Sequence, residues 1–148
     1  MPVNQISVFI ENRPGTLAAF ANLLRENHID LRALSLADVQ DYGILRIIVD
    51  DVYATSTVLR NANYIFKITP VLAVTLKDRA GSLADALDVL GANNINIEYL
   101  YAFAGREHDR AYVVFRLDDQ EMARAANLLR EAGFPSVSPD GDNGKIVW

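Results

Sequence analysis

The sequence predicts an α+β protein built from two consecutive copies of one module, each with the order β-α-β-β-α-β. Three observations carry that expectation. The chain repeats itself: Asn12-Arg13-Pro14-Gly15-Thr16-Leu17 returns as Asp78-Arg79-Ala80-Gly81-Ser82-Leu83, at an offset of 66 residues. The same offset turns Asn27-His28-Ile29-Asp30-Leu31 into Asn93-Asn94-Ile95-Asn96-Ile97 and pairs Val8, Leu24 and Leu34 with Val74, Leu90 and Leu100. Within each copy, apolar residues first alternate at period two and then recur at helical spacing. A repeat of this length exceeds most solenoid units and suits a small α/β module. The expected modules are residues 1–69 and 70–148.

The first strand of each copy is read from Gln5 to Ile10 and from Val71 to Leu76, with Ile6, Val8 and Ile10, or Leu72, Val74 and Leu76, on one face. Pro14-Gly15 or Ala80-Gly81 breaks the strand. Leu17, Phe20, Leu23 and Leu24 then mark a helix, as do Leu83, Ala86, Leu87 and Leu90. A second strand is expected from Ile29 or Ile95. It leads through a hairpin to a third, Ile44 to Val49 or Tyr112 to Leu117. The hairpins differ: Asp41-Tyr42-Gly43 makes a tight turn, while Gly105 to Arg110 is two residues longer. Asp50-Asp51 and Asp118-Asp119 close the third strands, where a carboxylate is expected to cap the following helix. That helix ends at Arg60 or Arg130, and Tyr64 or Phe134 opens the last strand.

This order is the ferredoxin-like split βαβ arrangement, an antiparallel sheet with helices on one face. Only Thr69-Pro70 separates the copies, so two modules packed side by side are expected. At 148 residues the chain is long enough to bury a core, and its 51% apolar and 22% charged residues are those of a globular protein. No apolar run reaches the ~20 residues of a membrane span, and no signal peptide is apparent, so the expected location is the cytoplasm and no membrane partner is expected. The absence of cysteine excludes disulfides and thiolate chemistry. A formal charge of −5 argues against nucleic acid as a partner.

Glu11-Asn12-Arg13-Pro14-Gly15-Thr16-Leu17 after a first strand, with Asn27-x-Ile29-Asp30-Leu31 or Asn93-x-Ile95-Asn96-Ile97 opening the second, resembles the ACT domain, a regulatory module of amino-acid metabolism. Both halves carry the pattern, so the resemblance covers nearly the whole chain and leaves no catalytic domain over. It implies a non-enzymatic tandem ACT protein, without cofactor or metal, that binds a small amino acid at the interface between its two modules. In the second copy Ala80 replaces the motif's proline.

The loop motif has a physical rationale of its own. Pro14 suits the first turn of a helix, where its missing N–H costs nothing, and Gly15 admits close approach to the backbone. The amides near Thr16 and Leu17 lack intrahelical acceptors and sit at the positive end of the helix dipole, a ready carboxylate site. Asn12 both donates and accepts, so it suits either end of a zwitterion. The bland alternative is that Pro-Gly simply turns strand into helix. The resemblance adds a second Asn, at the start of the second strand of a neighbouring module, as in the serine-binding ACT domain of phosphoglycerate dehydrogenase. It therefore implies one ligand site from Asn12, Arg13, Pro14, Gly15, Thr16 and Leu17 with Asn96 and Ile97. A weaker second site would use Asp78, Arg79, Gly81, Ser82 and Leu83 with Asp30 and Leu31, where two carboxylates approach each other. The family's serine site also uses a histidine where this chain has Ile10, so serine is not implied as the ligand.

Other chemistry is sparse. His28 and His108 are isolated, and a lone histidine makes no metal site. Asp140-Gly141-Asp142-Asn143-Gly144 resembles the start of a calcium loop but reads as a turn, because its closing glutamate would fall beyond Trp148. An enzyme on the same topology is the opposing reading; Arg13 suits an acylphosphatase-like role, but the glycine-rich phosphate loop is absent. Finally, if Leu45, Ile47, Val49, Val113, Phe115 and Leu117 face the helices, then Phe9, Ile44, Ile48, Ala73, Tyr112 and Val114 form an apolar open face, beside an aromatic row of Tyr99, Tyr101 and Phe103. Such a face predicts a homodimer or a regulated metabolic enzyme as partner. An assembly subunit with vestigial pockets is the alternative to a sensor.

Overall fold

The structure, a computed structural model, describes residues 2–105 and 108–137. Its elements are β1 (Val3–Glu11), α1 (Thr16–Glu26), β2 (Leu31–Val39), β3 (Tyr42–Val49), α2 (Val52–Asn61), β4 (Phe66–Lys77), α3 (Ser82–Ala92), β5 (Tyr99–Ala104), β6 (Arg110–Arg116) and α4 (Met122–Glu131). The chain divides into two compact units, Asn4–Thr69 and, with the first three residues, the chain from Pro70 on. No linker separates them in sequence: β4 runs unbroken through Thr69 and Pro70.

In the first unit the strand order is β2-β3-β1-β4, the split βαβ arrangement. β1 and β3 run antiparallel with Ile6 opposite Ile47, Val8 opposite Leu45 and Ile10 opposite Gly43. Residues directly opposite share a face, so these pairs point to the same side. There they meet Phe20, Leu24 and Leu59 from the two helices in a buried core. In the second unit β4-β6-β5 are adjacent, Leu72 faces Phe115 and Val74 faces Val113, and the core adds Ala86, Leu90, Ala125 and Leu129. The last strand of this copy is represented among the described residues by one bridge, Val74 to Ser136. The Asp140–Gly144 run lies outside the described residues.

All four helices stop in the same way. In α1 the N–H of His28 donates to the Arg25 carbonyl and the N–H of Ile29 to the Leu24 carbonyl, with His28 at φ 55°. Asn94-Ile95, Asn63-Tyr64 and Gly133-Phe134 repeat this geometry after α3, α2 and α4. This is the Schellman stop, which satisfies carbonyls left over at a helix end and drops an apolar residue back onto its last turn. The repeated Asn-x-Ile is therefore a helix terminator. β2 begins at Leu31 and β5 at Tyr99, not at Ile29 and Ile95, because those isoleucines plug the cores against Leu24 and Leu90.

Two other local readings need correction. The β2–β3 turn is Gln40-Asp41, with Gln40 at φ 56°, so Tyr42 and Gly43 already belong to β3. Asp51 does cap α2, accepting from the Ala54 N–H at 2.9 Å. Asp118 and Asp119 do not cap α4: Asp118 accepts from the Gln120 N–H within a turn, and Asp119 is held by Arg116 at 2.8 Å.

The apolar face expected to stand open is largely buried. Ile48, Ala73 and Val114 are fully inaccessible, Tyr112 is 4% exposed, and of the named set only Phe9, at 46%, is well exposed. The Phe103 ring stacks on Tyr112 at 5.4 Å, and Gly105 permits this because a side chain there would collide with the Tyr112 ring. The ground for expecting a partner on that face falls away. Large apolar side chains that are well exposed include Leu34 and Leu36 on the edge strand β2, and also Tyr53 and Ile65.

Candidate functional site

The loop between β1 and α1 is built by its own backbone. Gly15 stands at φ 86° before the first helical residue, and Gly81 repeats this at 88°. Space is not the reason for glycine, since a Cβ at either position would meet nothing within 4 Å. The left-handed backbone is the reason, because it burdens any residue with a side chain. Pro14 consequently lies in the turn ahead of the helix, not in its first turn.

Thr16 locks the loop. Its hydroxyl lies 2.6 Å from the Glu11 carbonyl and 2.9 Å from that of Arg13, donating to both as a shared bond. The Arg13 guanidinium pairs with Glu11, and both side chains are about two-thirds exposed, so the pair adds little stability. A glycine at the N-cap supplies no side-chain acceptor. The Thr16 N–H reaches the Arg13 carbonyl at 3.4 Å and that of Ala19 reaches Gly15, but the Leu17 and Ala18 amides have no backbone acceptor among the described residues. They are the free donors that a carboxylate would use.

Asn12 ties this loop to the β2–β3 hairpin. Its backbone N–H donates to the Asp41 carbonyl and its side-chain Nδ2 to the Gln40 carbonyl, both at 2.9 Å. One amide donor is thus spent on structure, which leaves the second N–H and the acceptor Oδ1. In the second copy the Asp78 N–H makes the matching bond to Asp109, but an ionised carboxylate there has no proton for the side-chain bond.

A cavity of about 370 Å³ opens beside the loop within the first unit. Asn12, Arg13, Thr16 and Leu17 line it, together with Ile10, Glu11, Leu36, Ala37, Asp38 and Gly43. The sequence reading missed Leu36, Asp38 and Gly43. They stand on the hairpin, far along the chain, and only the pairing of Leu36 with Leu45 and Asp38 with Gly43 brings them to this side.

The remaining candidates are described within their own units. Arg79 and Ser82 line another cavity with Lys77, Asp85 and Phe134, where Arg79 pairs with Asp85 at 3.1 Å. Asn96 lines a polar cavity with Asn94, Glu98, Asp118, Gln120 and Glu121. Next to it Arg116 binds Asp119 and Glu98, and the hydrogen bond that it donates to Asp119 raises its pKa above the ordinary guanidinium value. Asp30 is paired with Arg32 at 3.3 Å. Leu31, Leu83 and Ile97 are half-buried and pack against the cores of their own units. Among the described residues, no cluster of His, Asp and Glu is placed to hold a metal ion, and no helix is long and apolar enough to cross a membrane.

Fold and site together define a paired α+β module with a cavity against the strand-to-helix loop of its first copy. The chain belongs to the ACT domain pair family, whose model matches residues 1–137. It is similar to the solved protein BT0572 of Bacteroides thetaiotaomicron, with 33% identity and a TM-score of 0.84 over 93% of this chain and 92% of that one. The regulatory subunit of aspartate kinase from Thermus thermophilus, in ligand-free form, shares the fold at 16% identity, with a TM-score of 0.62 over 87% and 91% of the two chains. E. coli aspartokinase III, solved with aspartate and ADP, matches at 13% identity and a TM-score of 0.58, over 88% of this chain and 32% of that one. No protein with a curated description matches significantly.

Proposed function

We propose that this chain is a non-enzymatic regulatory protein of the cytoplasm that binds a small amino acid at the Asn12–Leu17 loop. The observation that supports it best is the cavity itself: Leu17, whose amide lacks a backbone acceptor at the helix start, lines it with Asn12 and Asp38, which offers complements to both ends of a zwitterion. Membership of the ACT domain pair family supports a regulatory role in place of a catalytic one. Asn96 and the weaker second site around Asp78, Arg79, Gly81, Ser82 and Leu83, with Asp30, are further parts of this proposal, each tested by its own variant. The partner is a metabolic enzyme or a second copy of the chain.

A thermal-shift screen with the twenty amino acids at millimolar concentration tests the reading. A ligand at a hundred times its dissociation constant, bound only by the folded state, adds about 2.7 kcal/mol, which moves the melting temperature by several degrees. No shift with any amino acid would favour the second reading, an assembly subunit with vestigial pockets. What speaks for that reading is the edge strand β2, where Leu34 and Leu36 are 56% and 50% exposed.

A further inference from the structure

We propose that the cavity of the first unit selects α-amino acids with aliphatic side chains, with Leu17 and Leu36 as the wall that reads the side chain and Asp38 as acceptor for the ammonium group. This rests on the amino-acid reading above and names the ligand class for it. Leu36 sits opposite Leu45, so it lies on the core side of the sheet, yet it is 50% exposed, and Leu17 across the cavity is 38% exposed. Two leucines facing one small cavity form an incomplete apolar shell, and Ile10, 5% exposed, closes its floor. A ligand that completes the shell gains the burial of both.

Leu36 is held as a wall by Gly43. A Cβ at Gly43 would come within 2.9 Å of Leu36 Cδ1 and 3.2 Å of the Ala37 carbonyl oxygen. The leucine therefore lies flat over the glycine, where any larger residue would lift it off the sheet. Two positions further along the same face stands Asp38, exposed and without an ion-pair partner among the described residues. A ligand with its carboxylate on the Leu17 and Ala18 amides and its ammonium on Asp38 turns its side chain toward Leu17 and Leu36. An acidic side chain is disfavoured there by Asp38 and Glu11.

The second copy lacks this apparatus. By the repeat and the strand registers, Leu36, Asp38 and Gly43 correspond to Ala102, Ala104 and Ala111. The wall and the ammonium acceptor are thus particular to the first unit.

Titration calorimetry with leucine, alanine, serine and aspartate, on the natural chain and on Leu36→Ser and Leu36→Met, tests this. Leucine is expected to bind about tenfold tighter than alanine or more, the low end of discrimination by an apolar pocket. Leu36→Ser brings the leucine-to-alanine ratio toward one, while Leu36→Met, which keeps the apolar surface, preserves most of it. Equal affinity for leucine, alanine and serine, or a ratio untouched by Leu36→Ser, overturns the aliphatic assignment and leaves the amino-acid reading standing. Absence of binding by any amino acid overturns both. Circular dichroism of each variant guards against misfolding.

Discussion

At position 12 one atom separates the two copies: an amide nitrogen in Asn12 where Asp78 has an oxygen. The amide holds the loop to Gln40, while the carboxylate can hold no carbonyl and adds charge where a ligand's carboxylate would approach. Asn12→Ala is therefore expected to weaken amino-acid binding by about 1–3 kcal/mol, the usual cost of leaving a group that the bound ligand buries without its partner. Asn96→Ala should cost a similar amount if it serves the same ligand, and Asp78→Ala should change little or improve binding. Calorimetry on the three variants decides. Loss of binding in Asp78→Ala together with a silent Asn12→Ala would move the site to the second copy. The glycines of the same loop carry a different burden. Gly15→Ala is expected to lower stability by about 1–2 kcal/mol through its left-handed backbone, as measured by chemical denaturation.

Elements show where sequence and structure part. The repeat and the period-two and helical spacings made the strands and helices legible, because burial against a sheet or a helix stripe leaves its period in the residues. Helix ends were harder to place. Ile29, Tyr64, Ile95 and Phe134 look like first residues of strands, being apolar and often β-forming. They are the apolar plugs of Schellman stops, and the distinction rests on the positive φ of the residue before each. Paired aspartates misled in the same manner. Asp51 meets the Ala54 N–H, whereas Asp118 and Asp119 spend their oxygens on Gln120 and Arg116 before α4 begins. Asp51→Ala should therefore cost about 1 kcal/mol of stability in a urea melt. Asp119→Ala touches no helix cap. Of the candidate site, the loop half was legible from its motif. The hairpin half was not, since Leu36, Asp38 and Gly43 carry no motif and reach the loop only through strand pairing.

On the scale of the molecule, each core is drawn from its own copy. Among the described residues, the main buried cluster of the first spans Ile6 to Leu59, with Tyr64 and Phe66 packed on it, and that of the second spans Leu72 to Leu129, with Phe134 packed on it. This independence of the cores was implied by the repeat. Burial of the sheet's other face was not, because alternation reports that a residue is apolar and not what covers it. The separation of the cores bears on the order in which the protein is made. A ribosome delivers Asn4–Thr69, with β2, β3, both helices, nearly all of β1 and the first four residues of β4, before Pro70 leaves the tunnel. Every contact of the first core is then available while the second copy is still being translated, and domains made in that order tend to fold as they emerge. Chains stalled just after residue 69 has cleared the tunnel should resist protease across the first copy. The second copy must wait for its own residues and also recruit the buried Val3 from the far end of the chain. Synthesis thus hands the cell a loop with free amides, and the cavity beside it, one module ahead of the rest.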